Sequence, residues 1–360
     1  MTADALRTNA PLAAPAPPKP VRARPGAPSA LRRARDAVVP ATRAFVARLD
    51  ETSAAIASYH LGWTDTAGVP TGGDGGKAVR PALATLSAQA VGAPARTGLP
   101  GAVAVELVHN FSLVHDDVMD GDVTRRHRPT AWSVFGMNAA ILAGDAMLTL
   151  AMDVLASSGH PLAGKATGML SAAVQELVDG QSADMLFERR ADVGVAECLG
   201  MARKKTGALL GCACALGALF GGGRSATIES YRGFGERLGL AFQVVDDLLG
   251  IWGDPATTGK PAHSDLDSRK KSLPVVAALN SGTKAGRELA ALYHGERQRS
   301  GAELARAAEL VDLAGGRQWS TSMADEELRQ VLRHLEAAGP GERAAAELVA
   351  LARLITGRDH

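Results

Sequence analysis

The sequence predicts an all-α protein, and three observations lead there. Only 4% of the 360 residues are aromatic although 46% are apolar, so the apolar content sits in small and aliphatic side chains that favour close helix packing over a sandwich or barrel. From about Pro40 onward apolar residues recur at helical spacing, with few strand-like alternations. Clusters of Gly and Pro at 69–76, 91–101, 157–164, 221–225, 254–263 and 280–286 punctuate these stretches, each short enough to be a turn within one domain.

Taken in order, residues 1–36 hold seven prolines and seven basic residues against the two acidic Asp4 and Asp36, with too little bulky apolar content to fold. They are expected to be a disordered basic tail, and they lack the apolar stretch of a signal peptide. Residues 37–360 are expected to form a single all-α domain. The uncharged stretch 206–223 has the length of a membrane span, but its six glycines dilute its hydrophobicity and fit an interior helix ending in a Gly-rich turn. Nearby Cys212 and Cys214, with Cys198, are odd in number and show no CxxC spacing, which fits buried thiols in a reducing cytoplasm. The last eighty or so residues read as amphipathic helices whose task is packing.

The chain carries 39 basic and 38 acidic residues, a net charge of +1. The +5 of the tail leaves −4 for the rest. No whole-molecule field favours nucleic acid, and no integral membrane segment is expected. Any charged-ligand site must therefore be local.

The segment 106–130, ELVHNFSLVHDDVMDGDVTRRHRPT, is the strongest candidate. On a helix Asp116 and Asp120 stand one turn apart on one face, with Asp117 beside them and His109 two turns upstream. So many adjacent carboxylates repel, unless a hard cation such as Mg²⁺ neutralises them while water and phosphate fill its other positions. Arg125, Arg126 and Arg128 follow at once, and forked cations suit phosphate oxygens. The bland alternative is a solvated acidic helix end followed by a basic turn. A second acidic pair, Asp246 and Asp247, follows a very apolar helical stretch, and Lys204, Lys205, Lys260, Lys270 and Lys271 are available to compensate it. Together these read as two walls of one polyanion-binding cavity.

These residues, in this order, resemble the trans-isoprenyl diphosphate synthases. The match comprises Gly75-Gly76-Lys77 with Arg80-Pro81, His109, the DDxxD of Asp116-Asp117-Val118-Met119-Asp120, Arg125-Arg126, Gly180-Gln181 with Asp184, Lys205-Thr206, Phe242-Gln243 leading to Asp246-Asp247, and Gly259-Lys260, Asp265 and Lys270. LVHDDVMDGD and GDPATTGKP look most like actinobacterial geranylgeranyl diphosphate synthases.

The resemblance implies an isoprenoid synthase-type helical bundle around a central active-site cavity, working as a cytoplasmic homodimer. It implies metal binding by the two aspartate motifs, Asp116, Asp117, Asp120, Asp246 and Asp247, with about three Mg²⁺ ions per site bridging carboxylates to diphosphate. Lys205, Thr206, Gln243 and Lys260 would act at the allylic diphosphate with Arg125 and Lys270. Lys77, Arg80, His109 and Arg126 would bind isopentenyl diphosphate. The reaction implied is condensation of isopentenyl diphosphate with C5 to C15 allylic diphosphates. Phe111, five residues before the first aspartate, with Ser112 beside it, resembles the pocket floor of enzymes that stop at C20, so geranylgeranyl diphosphate is the expected product and farnesyl diphosphate the alternative.

One position departs from the family pattern. The last position of the second motif is Gly250, which removes a carboxylate and is expected to weaken metal affinity at most, with Asp254 a substitute through water. A class I terpene cyclase would share the metal chemistry but has no use for Lys77, Arg80, His109 and Arg126 as an isopentenyl diphosphate site. A non-catalytic partner subunit would account for Gly250 but not for an intact first motif.

Overall fold

A computed structural model describes residues 29–73, 76–255, 262–293 and 299–357. The chain runs through α1 (Ser29–Val46), α2 (Glu51–His60), α3 (Val79–Ala90) and the long α4 (Leu99–Asp120). A small antiparallel hairpin, β1 (Thr124–Arg125) and β2 (Arg128–Pro129), follows. Next come α5 (Ala131–Phe135), α6 (Met137–Ala156), α7 (Ala163–Glu188), α8 (Val195–Ala202), a π-turn at Arg203–Gly207, α9 (Ala208–Phe220) and α10 (Ser225–Trp252). The rest is α11 (Ser264–Asp267), α12 (Leu273–Leu279), α13 (Lys284–Tyr293), α14 (Gly301–Leu313), α15 (Gly316–Ala338) and α16 (Glu342–Thr356). The all-α expectation is met, and among the described residues the Gly/Pro clusters at 91–101, 157–164, 221–225 and 280–286 fall at or beside the joins between helices.

Local chemistry sets several of these boundaries. Asp50 caps α2 by accepting from the amides of Thr52 and Ser53, both at 3.1 Å. Ser300 and Glu303 form a reciprocal capping box at the start of α14. At the end of α4, Gly121 takes the left-handed conformation (φ 68°) and its N–H closes on the Asp117 carbonyl, so the helix stops just after the aspartate motif.

The core follows from small residues. Every residue of α9 is buried, and it packs between α3 and α10 while α4 lies along α6. A Cβ on Gly217 of α9 would stand only 2.0 Å from the Ala84 carbonyl oxygen, so glycine there sets how closely α9 approaches α3. Each buried Leu of α9 contributes about 1.5–3 kcal/mol of apolar burial. The stretch 206–223, weighed as a membrane span, is thus an interior helix. Cys198, Cys212 and Cys214 are buried free thiols, and burial pushes Cys212 and Cys214 up to about 12. Among the described residues one helix, α6, is long and apolar enough to cross a membrane, and 44% of its apolar window is buried within the fold.

The expected tail needs a correction at its inner end. Residues 29–36 are not a loose tail but the first turns of α1, where Ala30, Leu31 and Ala34 are buried in the main core. The sparse apolar residues of this Arg-rich stretch fall on one helical face, which composition alone did not reveal. Residues 1–28 lie outside the described residues.

Candidate active site

The first wall is built at the end of α4. Asp116 is half-buried and Asp120 exposed, one turn apart. Burial raises the carboxyls of Asp116, to about 6, and of Asp120, while Lys205 acts on both in the opposite sense. Lys205 sits on the π-turn, and π-turns mark places where a helix is locally re-aimed. Gly180 of α7 makes room for it, since a Cβ there would lie 2.4 Å from the Lys205 amide nitrogen. Lys205 Nζ donates to Asp184 Oδ2 at 2.6 Å.

The second wall is a relay of side chains at the end of α10. Thr206 Oγ1 donates to Gln243 Oε1 (2.7 Å), and Gln243 Nε2 donates to Asp247 Oδ1 (2.9 Å). Asp247 also accepts from Lys270 Nζ (3.2 Å) and from the Leu273 amide (2.9 Å). Burial alone would push the Lys270 ammonium down; Asp247, Asp265, Asp246 and Asp184 outweigh it and hold the group above its ordinary value. Asp184 acts on both Lys270 and Asp120, so the two walls meet around Asp184 and Lys205.

Beside the first wall lies a cationic pocket. The β1–β2 hairpin turns through Arg126 and His127, both at positive φ (52° and 61°), a conformation that non-glycine residues hold only when the surroundings impose it. This turn sets the Arg126 guanidinium against Gly76, whose added Cβ would be 3.2 Å from it. Arg35 of α1 donates to the Gly76 carbonyl at 2.8 Å, tying the loop that carries Lys77. Glu106 and His109 of α4 and Arg80 of α3 complete the group. Burial, opposed by Glu106, takes Arg80 down to about 10, so it stays charged at neutral pH. Burial and then Arg80 and Arg126 hold His109 far below its ordinary value, so its imidazole is neutral. Two guanidiniums against one buried carboxylate leave net positive charge, which suits an anion.

A polyprenyl synthetase family model matches residues 69–311, which span both walls and the cationic pocket. The chain belongs to the polyprenyl synthetase family. It is 48% identical over 328 residues to the (2E,6E)-farnesyl diphosphate synthase of Mycobacterium tuberculosis, covering 90% of this chain and 91% of that protein. It is 45% identical over 330 residues to the geranylgeranyl diphosphate synthase of the same organism, covering 91% and 93%. The crystal structure of a polyprenyl synthetase from Streptomyces coelicolor superposes with a TM-score of 0.87 at 49% identity, covering 91% of this chain and 98% of that one. This polyprenyl synthetase is therefore a prenyltransferase of isoprenoid biosynthesis, from a family that uses Mg²⁺.

Within this synthase the expected site residues separate into those that face a ligand space and those that hold the wall. Asp117, expected among the metal ligands, is 1% exposed, with Oδ1 on Arg125 Nε at 2.6 Å and Oδ2 buried without a hydrogen bond. It anchors Arg125 behind the helix face that carries Asp116 and Asp120. Asp247, also expected on metal, has both oxygens committed to Gln243, Lys270 and Leu273, because it lies on the buried side of α10 while Asp246 is on the exposed side. Asp254 is exposed beyond the end of α10, and the carboxylate found against Gly250 is instead that of Asp265. Lys260 lies outside the described residues. Phe111 is buried and makes an edge contact with His115 at 4.8 Å, and His115 Nε2 lies 3.0 Å from the Ile141 carbonyl oxygen of α6; Ser112 bonds back to the His109 carbonyl. Sequence reasoning missed Arg35, Glu106 and the π-turn. Arg35 falls outside the family motifs, and a single-turn change of helical register leaves no periodic signal.

Proposed function

We propose that this synthase condenses isopentenyl diphosphate with allylic diphosphates to a short-chain product, geranylgeranyl diphosphate. What supports this most is the meeting of an acidic wall and a separate cationic pocket along α4, because elongation needs two diphosphates held side by side. The donor set fits Mg²⁺: Asp116 and Asp120 offer carboxylate oxygens on one helix face, with protonation made easier by burial when no cation is near. Asp116, Asp120 and Asp246 would hold about three ions together with the substrate diphosphate. When bound, Mg²⁺ supplies positive charge to the departing diphosphate. Lys205 and Lys270 add fixed charge at that wall, and Arg125, oriented by Asp117, adds a fork of donors. Arg80, Arg126, Lys77 and His109 bind the second diphosphate, leaving the alkene of isopentenyl diphosphate to attack the allylic carbon as its C–O bond to diphosphate breaks, with a proton then lost to the released diphosphate to restore a double bond.

The test is an assay of the purified protein with Mg²⁺, isopentenyl diphosphate and each of the C5, C10 and C15 primers. C20 alcohol after dephosphorylation is the expected readout. Turnover without isopentenyl diphosphate would point to a cyclase, and inactivity alone to a non-catalytic subunit. The second reading, farnesyl diphosphate, is favoured by the 48% identical relative, and the same chromatogram separates the two.

Phe111 closes the pocket below the first motif in this reading. Phe111→Ala is expected to lengthen the product by about one or two five-carbon units, because deleting a buried aromatic leaves a cavity the hydrocarbon tail can fill. An unchanged product length overturns the assignment. The synthase is further proposed to be a cytoplasmic homodimer, using the exposed apolar residues Met137 (51%) and Leu142 (65%) of α6 as contact. Light scattering should return the mass of two chains, and Leu142→Glu that of one; a monomeric wild type overturns this.

A further inference from the structure

The β1–β2 hairpin carries Arg125 and Arg126, which serve different diphosphates in the reading above, and its turn is strained. Arg126 and His127 both sit at positive φ (52° and 61°), the geometry of a two-residue hairpin turn in which Asn and Gly are the usual residues. The pairing adds a second cost, because Arg125 stands directly opposite Arg128 and like charges opposed across a ladder repel. Strands of two residues each cannot hold such a turn by their own hydrogen bonds. The hairpin needs support from outside.

That support comes from the end of α2 and the residues just after it. Arg128, expected from the sequence to fork phosphate oxygens, directs its fork to backbone instead: Nη1 donates to the Tyr59 carbonyl at 3.2 Å and Nη2 to the Thr64 carbonyl at 2.9 Å. Its guanidinium carbon lies 4.4 Å from the centroid of the Tyr59 ring. Tyr59 completes the exchange, its hydroxyl donating to the Pro129 carbonyl at 2.8 Å. The tyrosine is 3% exposed and packs edge-on against Phe135 of α5, with 5.3 Å between ring centroids, so its position is fixed. Gly62 makes the approach possible, since it turns the chain at φ 75° and a Cβ there would lie 3.2 Å from Arg128 Nη1. The two opposed arginines are thus drawn apart, Arg128 onto α2 and Arg125 onto Asp117 of α4 at 2.6 Å. Arg126, at the apex between them, takes its aim past Gly76 from how the hairpin is seated.

We propose that Tyr59 and Arg128 form a clasp that positions Arg126 for the diphosphate of isopentenyl diphosphate, with Arg128 acting through the hairpin and not on the substrate. The proposal rests on the assignment of the cationic pocket to that substrate. Asp117 anchors Arg125 independently of the clasp, so loosening the hairpin displaces Arg126 and leaves the allylic side in place.

Tyr59→Phe, which deletes only the hydroxyl, is expected to raise the KM for isopentenyl diphosphate about five-fold, and Arg128→Met roughly ten-fold or more. In both, kcat and the KM for the allylic primer should stay within about two-fold. Arg128→Lys keeps the charge but cannot reach two carbonyls at once, so it should stay close to Arg128→Met. Direct contact of Arg128 with diphosphate would instead leave Tyr59→Phe at the wild-type KM and let lysine recover most of the loss, and that result overturns the proposal. Equal damage to both KM values, the mark of a general structural defect, overturns it too. Hydrogen exchange reads the clasp without turnover, in the variant least able to disturb folding: in Tyr59→Phe, peptides covering 123–130 should exchange faster than in the wild type while those of α9 do not change. Equal rates overturn the clasp. A wild type that never consumes isopentenyl diphosphate, with exchange still faster in Tyr59→Phe, instead overturns the assignment of the pocket itself.

Discussion

Asp116→Asn is expected to lower kcat about a thousandfold while making the metal-free protein more stable at neutral pH. The loss of activity follows from removing one of the carboxylates that would hold the cation against the departing diphosphate, at a point where charge develops in the transition state. The KM for isopentenyl diphosphate should change little, because that substrate is assigned to Arg80, Arg126 and His109 rather than to the acidic wall. The gain in stability has a separate origin. Burial raises the Asp116 carboxyl from 3.8 to about 6 in the folded chain, more than Lys205 and Arg125 lower it. A raised carboxyl favours folding at low pH, and that contribution is lost as pH rises through about 6. Above that pH the metal-free wild type carries an ionised, partly desolvated carboxylate at a cost on the order of 1–3 kcal/mol. Asparagine carries no such charge. Thermal unfolding in EDTA should therefore show the variant's Tm advantage opening between about pH 4 and 6 and holding above that, and Mg²⁺ with inorganic diphosphate should restore the wild type but not the variant. A variant that unfolds at or below the wild-type temperature at pH 7.5 overturns the account.

That opposition between function and folding explains which parts of the molecule were legible in the sequence. The helices were legible because apolar periodicity and Gly/Pro punctuation are local, and the motif residues because adjacent carboxylates and arginines are chemically conspicuous. Which carboxylate faces the ligand was not legible. Asp116 and Asp117 are neighbours in sequence, as are Asp246 and Asp247, yet one of each pair lies on a buried helix face and binds its own wall. Packing against Arg125 from the hairpin and Lys270 from beyond α11 decides this, and neither distance is written in the local pattern. The start of α1 was missed for the same reason: Arg35 looks like tail charge until its guanidinium is seen on the Gly76 carbonyl.

Gly250 poses the sharpest case, because restoring the family's third aspartate there is expected to damage the enzyme. Gly250→Asp should lower Tm by several degrees and reduce turnover, since a Cβ on Gly250 would lie 2.4 Å from both Cγ and Oδ2 of Asp265. Asp265 has little freedom to yield. Its side chain is 12% exposed and 3.7 Å from Lys270 Nζ, and its carbonyl accepts from the Lys270 amide at 3.0 Å. The segment around it is docked on the end of α10 through His263 Nδ1, 2.7 Å from the Ile251 carbonyl oxygen, and through Ser264, whose hydroxyl reaches the Gly250 carbonyl. The carboxylate of Asp265, from α11 fifteen residues later, therefore occupies the space beside position 250 that glycine leaves open. Overpacking of this kind costs about 1–3 kcal/mol, and like charge from Asp246 and Asp265 adds to it. Gly250→Ala should share the steric loss without the charge, so the difference between the two variants measures the repulsion. Gly250→Asp combined with Asp265→Gly moves the carboxylate back to the helix and should recover stability beyond the sum of the single changes, the mark of two residues competing for one space. Tighter Mg²⁺ binding by Gly250→Asp alone, measured by titration calorimetry with inorganic diphosphate present, would show that the wall had been short of a carboxylate after all.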